Sequence, residues 1–152
     1  MYRIITSIFF VSLVIAGQAQ NAEKRVKNYN LSKGLAIEGY DPVAYFTQNK
    51  AVKGNSSYAF VHAGVTYHFS SEHNKNLFKA NPSKYEPQYG GWCAYAMGAD
   101  GTKVEIDPGT FKILDGKLYL FYNAYFNNTL KKWNKEEASL KMRADANWAK
   151  IF

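Results

Sequence analysis

Few residues in this sequence can bind a metal ion or act as a nucleophile. Cys93 is the one cysteine, and Met97 follows it in the same segment. If residues 92–97 form a β-strand, both sulfur atoms lie on one face of that strand. The imidazole of His68, on a second predicted strand, completes the set of thiolate, thioether and imidazole ligands that reduced copper prefers. These three side chains predict a soft-metal site that holds a copper ion.

Two other interpretations of the same residues remain open. Cysteine and methionine are good core fillers, so Cys93 and Met97 are compatible with a structural or protein-interaction domain that binds no metal. A thiol-dependent enzyme that uses Cys93 is the third hypothesis. Papain-like enzymes place the catalytic histidine after the cysteine, whereas every histidine here precedes it, namely His62, His68 and His73. The sequence lacks a recognisable base, and we therefore expect no enzymatic activity.

Hairpins and short helices must position these side chains. Apolar and aromatic residues flank Ala63-Gly64 within Tyr58–Phe69, and a second such set flanks Asp115-Gly116, a dipeptide favoured in two-residue turns. Between the two hairpins, Ser71 is a suitable cap for a helix over Glu72–Ala80. Hairpins joined by short helices, without long βαβ alternation, predict an α+β fold built around a small antiparallel sheet.

The C-terminal part of the chain has apolar residues at helical spacing. Phe126, Leu130 and Trp133 follow this spacing, and a second stripe consists of Leu140, Ala144, Trp148 and Ile151. The spacing predicts a helical C-terminus that packs against the sheet.

The composition is that of a single globular domain. The chain has 152 residues, of which 47% are hydrophobic and 16% aromatic, and its formal net charge is +7. One cysteine excludes a disulfide within the chain and the zinc motifs that need several thiols. The C-terminal lysines fit the solvated faces of amphipathic helices, so we expect no nucleic-acid partner.

The first residues resemble a secretory signal peptide. A positive start at Arg3 precedes an apolar stretch over Ile4–Ala16, and small residues follow at Gly17 and Ala19. We expect the protein to be exported, either periplasmic or secreted, with no transmembrane segment after signal cleavage. The predicted divisions are a signal peptide at 1–19, a basic flexible lead-in at 20–33 and a folded domain at 34–152.

Three segments, in this order, resemble the YHS domain family. They are Gly39–Phe46 with the sequence GYDPVAYF, Tyr67–Tyr85 with YHFSS near its start and NPSKY at its end, and Tyr89–Ala94 with the sequence YGGWCA. Ala144–Trp148, with the sequence ADANW, is similar to the longer, exported members of the family. The resemblance extends over most of the predicted domain.

In the shorter YHS modules, which are associated with heavy-metal transport proteins, metal binding is attributed to three cysteines. Those cysteine positions fall on Ala44, Ser70 and Asn74 here, so the three thiols are absent. The resemblance implies an exported, non-enzymatic binding module with a link to metals. Its partner would be a metal ion or an envelope protein.

Overall fold

The computed structural model of the protein describes residues 5–152, with side chains from Gly17 onward. The α-helices are α1 (Ile5–Asn28), α2 (Ala44–Thr47), α3 (Glu72–Ala80), α4 (Pro82–Tyr85), α5 (Ala94–Ala99), α6 (Thr129–Trp133) and α7 (Glu137–Ile151). The strands are β1 (Leu31–Ser32), β2 (Leu35–Ala36), β3 (Asn55–His62), β4 (Val65–Phe69), β5 (Asp107–Leu114), β6 (Lys117–Phe121), β7 (Asn123–Ala124) and β8 (Asn127–Asn128). Within the described residues, no helix combines the length and the hydropathy needed to cross a bilayer.

The larger sheet contains four strands in the order β1-β2-β4-β3. Its longest pairing is the antiparallel hairpin of β3 and β4, which turns at Ala63-Gly64 as the sequence predicts. Along β4, Val65, Tyr67 and Phe69 are buried and the alternate residues are half-buried, because successive side chains of a strand point to opposite faces. The β2–β4 pairing is parallel, so this sheet is mixed rather than purely antiparallel.

The second hairpin, β5–β6, lies between two hydrophobic clusters. It turns at Asp115-Gly116, and both turn residues have the positive φ angles that this tight turn requires. Leu118 and Leu120 of β6 belong to the cluster that also packs against the larger sheet. Tyr119 and Phe121, on the opposite face of β6, belong to the cluster formed with the C-terminal helices. This strand is thus covered on both sides. The predicted α+β fold class is confirmed.

Helix α3 forms where the sequence predicts it. The Ser71 hydroxyl accepts a hydrogen bond from the Asn74 N–H at 3.1 Å, which satisfies one of the free donors of the first turn. The helix ends at Ala80, before Asn81-Pro82, because the residue before a proline is disfavoured in the helical region. Phe78 is the buried anchor of the helix, and it contacts several aromatic rings of the larger sheet.

The segment Trp92–Met97 is not the strand that the alternation of its apolar residues suggested. Cys93 precedes the first turn of helix α5, and the Met97 N–H donates to the Cys93 carbonyl at 3.0 Å. Short apolar runs do not distinguish a strand from a buried helix by periodicity alone. Gly98 allows α5 to pack closely against α7, since a Cβ at this position would lie 2.5 Å from the Leu140 carbonyl oxygen of α7.

The predicted flexible lead-in at 20–33 is also different in the structure. Helix α1 runs through Asn28 and packs on the domain, and Arg25 is only 6% exposed. The Arg25 guanidinium forms a salt bridge with Glu86 and also donates to the Tyr29 hydroxyl at 3.0 Å. This anchor could not be predicted from the sequence, because Glu86, the partner of Arg25, lies far along the chain. Residues 1–4 of the predicted signal peptide lie outside the described residues, and the predicted cleavage stays a prediction.

The electrostatics of this anchor follow from burial and from Glu86. Burial alone lowers the pKa of Arg25, but the hydrogen bond and the charge of Glu86 outweigh it, so the pKa is raised. Burial raises the pKa of Tyr67 well above its usual value, and Glu86, which accepts from the Tyr67 hydroxyl at 2.6 Å, raises it further. Arg25 is therefore charged and Tyr67 neutral at physiological pH.

The C-terminus is helical, but its first helix starts later than the apolar spacing suggested. Phe126 does not join Leu130 and Trp133 on a helix. It lies at the tip of the β7–β8 hairpin with a φ of 62°, fully exposed, and α6 begins three residues later at Thr129. The second stripe is confirmed on α7, where Leu140 and Ala144 are buried.

Candidate functional site

Cys93 is completely buried and hydrogen-bonded. The Tyr122 N–H donates to its Sγ atom at 3.3 Å, and its Sγ lies 3.4 Å from the Thr129 Oγ1. The Thr129 hydroxyl proton is already donated to the Tyr122 carbonyl at 2.8 Å. The Cys93 S–H is therefore the donor to Thr129, and the buried thiol is enclosed in a ring of hydrogen bonds.

The structure does not bring the three predicted copper ligands together as expected. Met97 is completely buried in the hydrophobic cluster with α7, whereas Cys93 belongs to the other cluster. His68 is half-buried on β4, where its ring lies beside Gly39. The common strand face on which the prediction depended does not exist, because residues 94–99 are helical. Among the described residues, no group of three or more His, Cys, Asp or Glu side chains is arranged to hold a metal ion.

Cys93 is one of the residues that line an open pocket of about 350 Å³, which we call the Cys93 pocket. The pocket lies between α5, the segment that follows it and the β7–β8 hairpin. Its lining consists of Cys93, Tyr95, Ala96, Ala99, Asp100, Thr102, Val104, Tyr122, Asn127 and Thr129. Its volume is at the lower end of the range of small-molecule sites, which is roughly 300–1,000 Å³.

Asn127 is the unusual member of this lining. Its Oδ1 atom is the one buried side-chain nitrogen or oxygen, within the part of the chain that the structure describes, that lacks a hydrogen-bond partner. Buried polar atoms are almost always paired, and leaving one unpaired costs about 1–3 kcal/mol. This unpaired acceptor belongs to a residue of the pocket lining.

Asp41 forms a second polar centre, separate from the Cys93 pocket. The Asp41 side chain is completely buried, and its Oδ1 accepts from the backbone N–H of Val43 at 2.9 Å and of Ala44 at 3.4 Å. Its Oδ2 accepts from the Ser70 N–H at 2.8 Å, the Ser70 hydroxyl at 2.6 Å and the Asn74 amide at 2.7 Å. This Asp41 junction links the start of α2, the end of β4 and the first turn of α3.

The comparisons with known proteins place these two centres differently. A family model for the YHS domain matches residues 43–89. The chain contains a YHS domain. Asp41 lies two residues before the matched segment, and its donors Val43, Ala44, Ser70 and Asn74 lie within it, whereas the lining of the Cys93 pocket lies entirely after it. No curated protein and no solved structure matches the chain.

The Asp41 junction contains the three positions of this chain on which the YHS cysteines fall. Ala44, Ser70 and Asn74, on which those positions fall, all donate hydrogen bonds to the one Asp41 carboxylate. The three positions thus converge on a single point of the fold. Their groups are hydrogen-bond donors directed at a carboxylate, and none is a soft ligand. This donor set does not fit a soft metal ion.

Two features of the site were beyond sequence reasoning. Asp41 was recognisable as a turn residue before Pro42, but its contacts with Ser70 and Asn74 cross the fold. Asn127 carried no sequence signal, because its importance comes from the partner that its Oδ1 lacks. The clue that was available for the Cys93 pocket was the single cysteine, which does line its wall.

Proposed function

We propose that the chain is a non-enzymatic binding module, and that its ligand is a small molecule bound in the Cys93 pocket. The observation that carries this proposal is the open pocket of about 350 Å³, which Cys93, Tyr95 and Tyr122 help to line. The Cys93 thiol is buried and already hydrogen-bonded, which supports binding rather than thiol catalysis, because reactive cysteines are usually accessible. The signal-peptide pattern of residues 1–19 supports a place of action outside the cytoplasm, periplasmic or secreted.

Copper binding is the second candidate function. The observation that favours it is the presence of Cys93 among the residues that line an open pocket. The association of YHS modules with heavy-metal transport also supports it. Cys93 is the one sulfur ligand among the lining residues, so a Cu(I) ion there would need the thiol to give up its hydrogen bond to Thr129.

One set of titrations tests both candidates on the purified protein. Cu(I) is titrated in competition with a chelator, and a mixture of small neutral, anionic and cationic aromatic compounds is titrated while backbone NMR signals are recorded. Ala96→Phe narrows the Cys93 pocket, and Ala146→Phe, on the exposed side of α7, is its matched control.

Binding of a small compound that Ala96→Phe abolishes and Ala146→Phe preserves would support the proposed module. One-to-one binding of Cu(I) that disappears in Cys93→Ser would support the copper function instead. If neither Cu(I) nor any compound binds, the proposal is wrong and a structural or protein-interaction domain is what remains.

A further inference from the structure

The turn between β7 and β8 differs in its residues from the other two-residue turns of the described chain. Four such turns join antiparallel strands, and in all of them both turn residues have positive φ angles, a geometry that favours glycine at the second position. Three of them have that glycine, namely Lys33-Gly34, Ala63-Gly64 and Asp115-Gly116. The β7–β8 turn instead has Tyr125 at a φ of 50° and Phe126 at 62°. Bulky residues are disfavoured at positive φ, so the backbone does not account for these two side chains.

Both rings of this turn project into solvent. Tyr125 is 91% exposed and Phe126 is fully exposed, which are the highest values among the large hydrophobic residues whose side chains the structure describes. An aromatic side chain buries about 150–250 Å² when it is covered, so the two rings together offer about 300–500 Å². A specific protein–protein interface needs at least about 1,000 Å². The turn is therefore too small for such an interface, but it fits the headgroup layer of a lipid bilayer, where aromatic side chains are enriched.

The charged residues next to this turn along the chain are basic. Residues 123–135 contain no Asp or Glu, and their charged side chains are Lys131, Lys132 and Lys135, all exposed. The Lys131 N–H donates to the Oδ1 of Asn128 at 3.3 Å, so α6 and its lysines begin directly at the end of the hairpin. Asp100, which lines the Cys93 pocket together with Asn127, opposes one of these charges. Lysines beside exposed aromatic rings complement an anionic lipid surface.

We propose that the Tyr125-Phe126 turn docks the protein on the surface of an anionic phospholipid bilayer. The two rings enter the headgroup layer, and the lysines of α6 attract the lipid phosphates. Two aromatic side chains and a few lysines give reversible binding rather than a permanent anchor. This inference does not depend on the proposed small-molecule function, because neither ring lines the Cys93 pocket.

Two measurements on the full chain test the docking. Sedimentation with vesicles of phosphatidylcholine and about one third phosphatidylglycerol measures affinity, and all variants share the apolar stretch 4–16, so its own affinity for lipid cancels in the comparison. Phe126→Trp reports on the turn itself. Its fluorescence emission should shift to shorter wavelength with these vesicles, and much less with phosphatidylcholine alone. About 1 M NaCl should weaken docking, because it shortens the Debye length to about 3 Å.

Paired variants separate the turn from the rest of the surface. Tyr125→Asn combined with Phe126→Gly introduces the residues that this turn geometry prefers, so the hairpin is kept, and vesicle binding should weaken at least about tenfold. The matched control removes two exposed apolar side chains elsewhere and should leave binding unchanged, namely Val61→Thr with Met142→Gln.

The lysines are tested in the same way. Lys131→Gln combined with Lys132→Gln should weaken vesicle binding several-fold, because it removes the two charges of α6. Lys50→Gln combined with Lys79→Gln removes the same charge at exposed positions outside residues 123–135 and should weaken it less.

A fluorescence shift of Phe126→Trp, together with weaker binding of the Asn-Gly turn variant, would support docking. Absence of the shift, or equal binding of the native protein and the turn variant, would overturn it, since any binding would then come from the N-terminal stretch or the net charge alone. Self-association that the turn variant abolishes, without a fluorescence shift, would overturn it in favour of a second copy of the chain. Ala96→Phe should leave vesicle binding unchanged, so failure of docking and failure of the Cys93 pocket are distinguishable.

Discussion

The Asp41 junction gives the sharpest prediction about stability. Asp41→Asn keeps the shape of the side chain but replaces one carboxylate oxygen by an amide nitrogen. With Oδ1 still accepting from the Val43 and Ala44 N–H groups, the new nitrogen faces the donors that Oδ2 now satisfies, which belong to Ser70 and Asn74. The Ser70 hydroxyl can rotate and the Asn74 amide can flip to accept from this nitrogen, but neither hydrogen bond is then to a charged group, and the Ser70 N–H cannot adapt.

Two buried donors therefore lose a charged acceptor in this variant. A hydrogen bond to a charged group contributes about 1.5–3 kcal/mol, so the free energy of unfolding should fall by about 3–6 kcal/mol. That is a large part of the total stability of an ordinary domain, which is about 5–15 kcal/mol. Urea unfolding followed by tryptophan fluorescence measures the change.

Asn74→Leu removes one of these donors and keeps the carboxylate, so its loss should be smaller, about 1.5–3 kcal/mol. Asp115→Asn is the matched control, because Asp115 lies in an exposed turn at a φ of 51°, which asparagine also tolerates. A loss below about 1 kcal/mol for Asp41→Asn would refute the role of the junction in stabilising the fold.

Three further predictions concern other parts of the fold. Glu86→Gln leaves the buried Arg25 charge without its partner and should cost about 3–5 kcal/mol in urea unfolding, whereas Glu72→Gln, at an exposed pair, should cost less than about 1 kcal/mol. Phe126→Gly should increase the free energy of unfolding by about 0.5–1 kcal/mol and so raise the urea midpoint, because glycine adopts the φ of 62° without strain and removal of the exposed ring costs no packing. A lower midpoint would show that the ring packs. The raised pKa values of the buried phenols of Tyr45, Tyr67 and Tyr89 predict that stability is complete below about pH 10 and falls above it. Each phenol that ionises only after unfolding should lower the free energy of unfolding by about 1.4 kcal/mol per pH unit. A stability profile that stays flat between about pH 10 and 11 would be inconsistent with the burial of these three side chains.

Local signals were sufficient to predict much of the fold. The turns at Ala63-Gly64 and Asp115-Gly116 and the cap at Ser71 depend on residues close together in sequence, and all three are confirmed. The segment 92–97 was misassigned as a strand because an alternating apolar run that is buried as a helix shows the same pattern. The lead-in was misjudged because a polar, basic composition conceals the one buried arginine, Arg25.

The candidate site was less predictable than the fold for a physical reason. Sequence identifies which side chains could bind a ligand, but hydrogen-bond satisfaction depends on the whole structure. Cys93 was predicted as a ligand from its residue type, but its hydrogen bonds to Tyr122 and Thr129 could not be foreseen from the sequence. The Asn127 Oδ1 is notable because no donor reaches it, and only the folded structure can show that.

The position of β6 between the two hydrophobic clusters has a consequence for how the molecule opens. Leu118 and Leu120 serve one cluster while Tyr119 and Phe121 serve the other, so this strand cannot separate from β5 without exposing both. The β5–β6 amides should therefore exchange with solvent deuterium only through global unfolding, at the slowest rates in the chain. Two clusters joined through one strand behave as one cooperative unit, and the protein should lose both in a single transition.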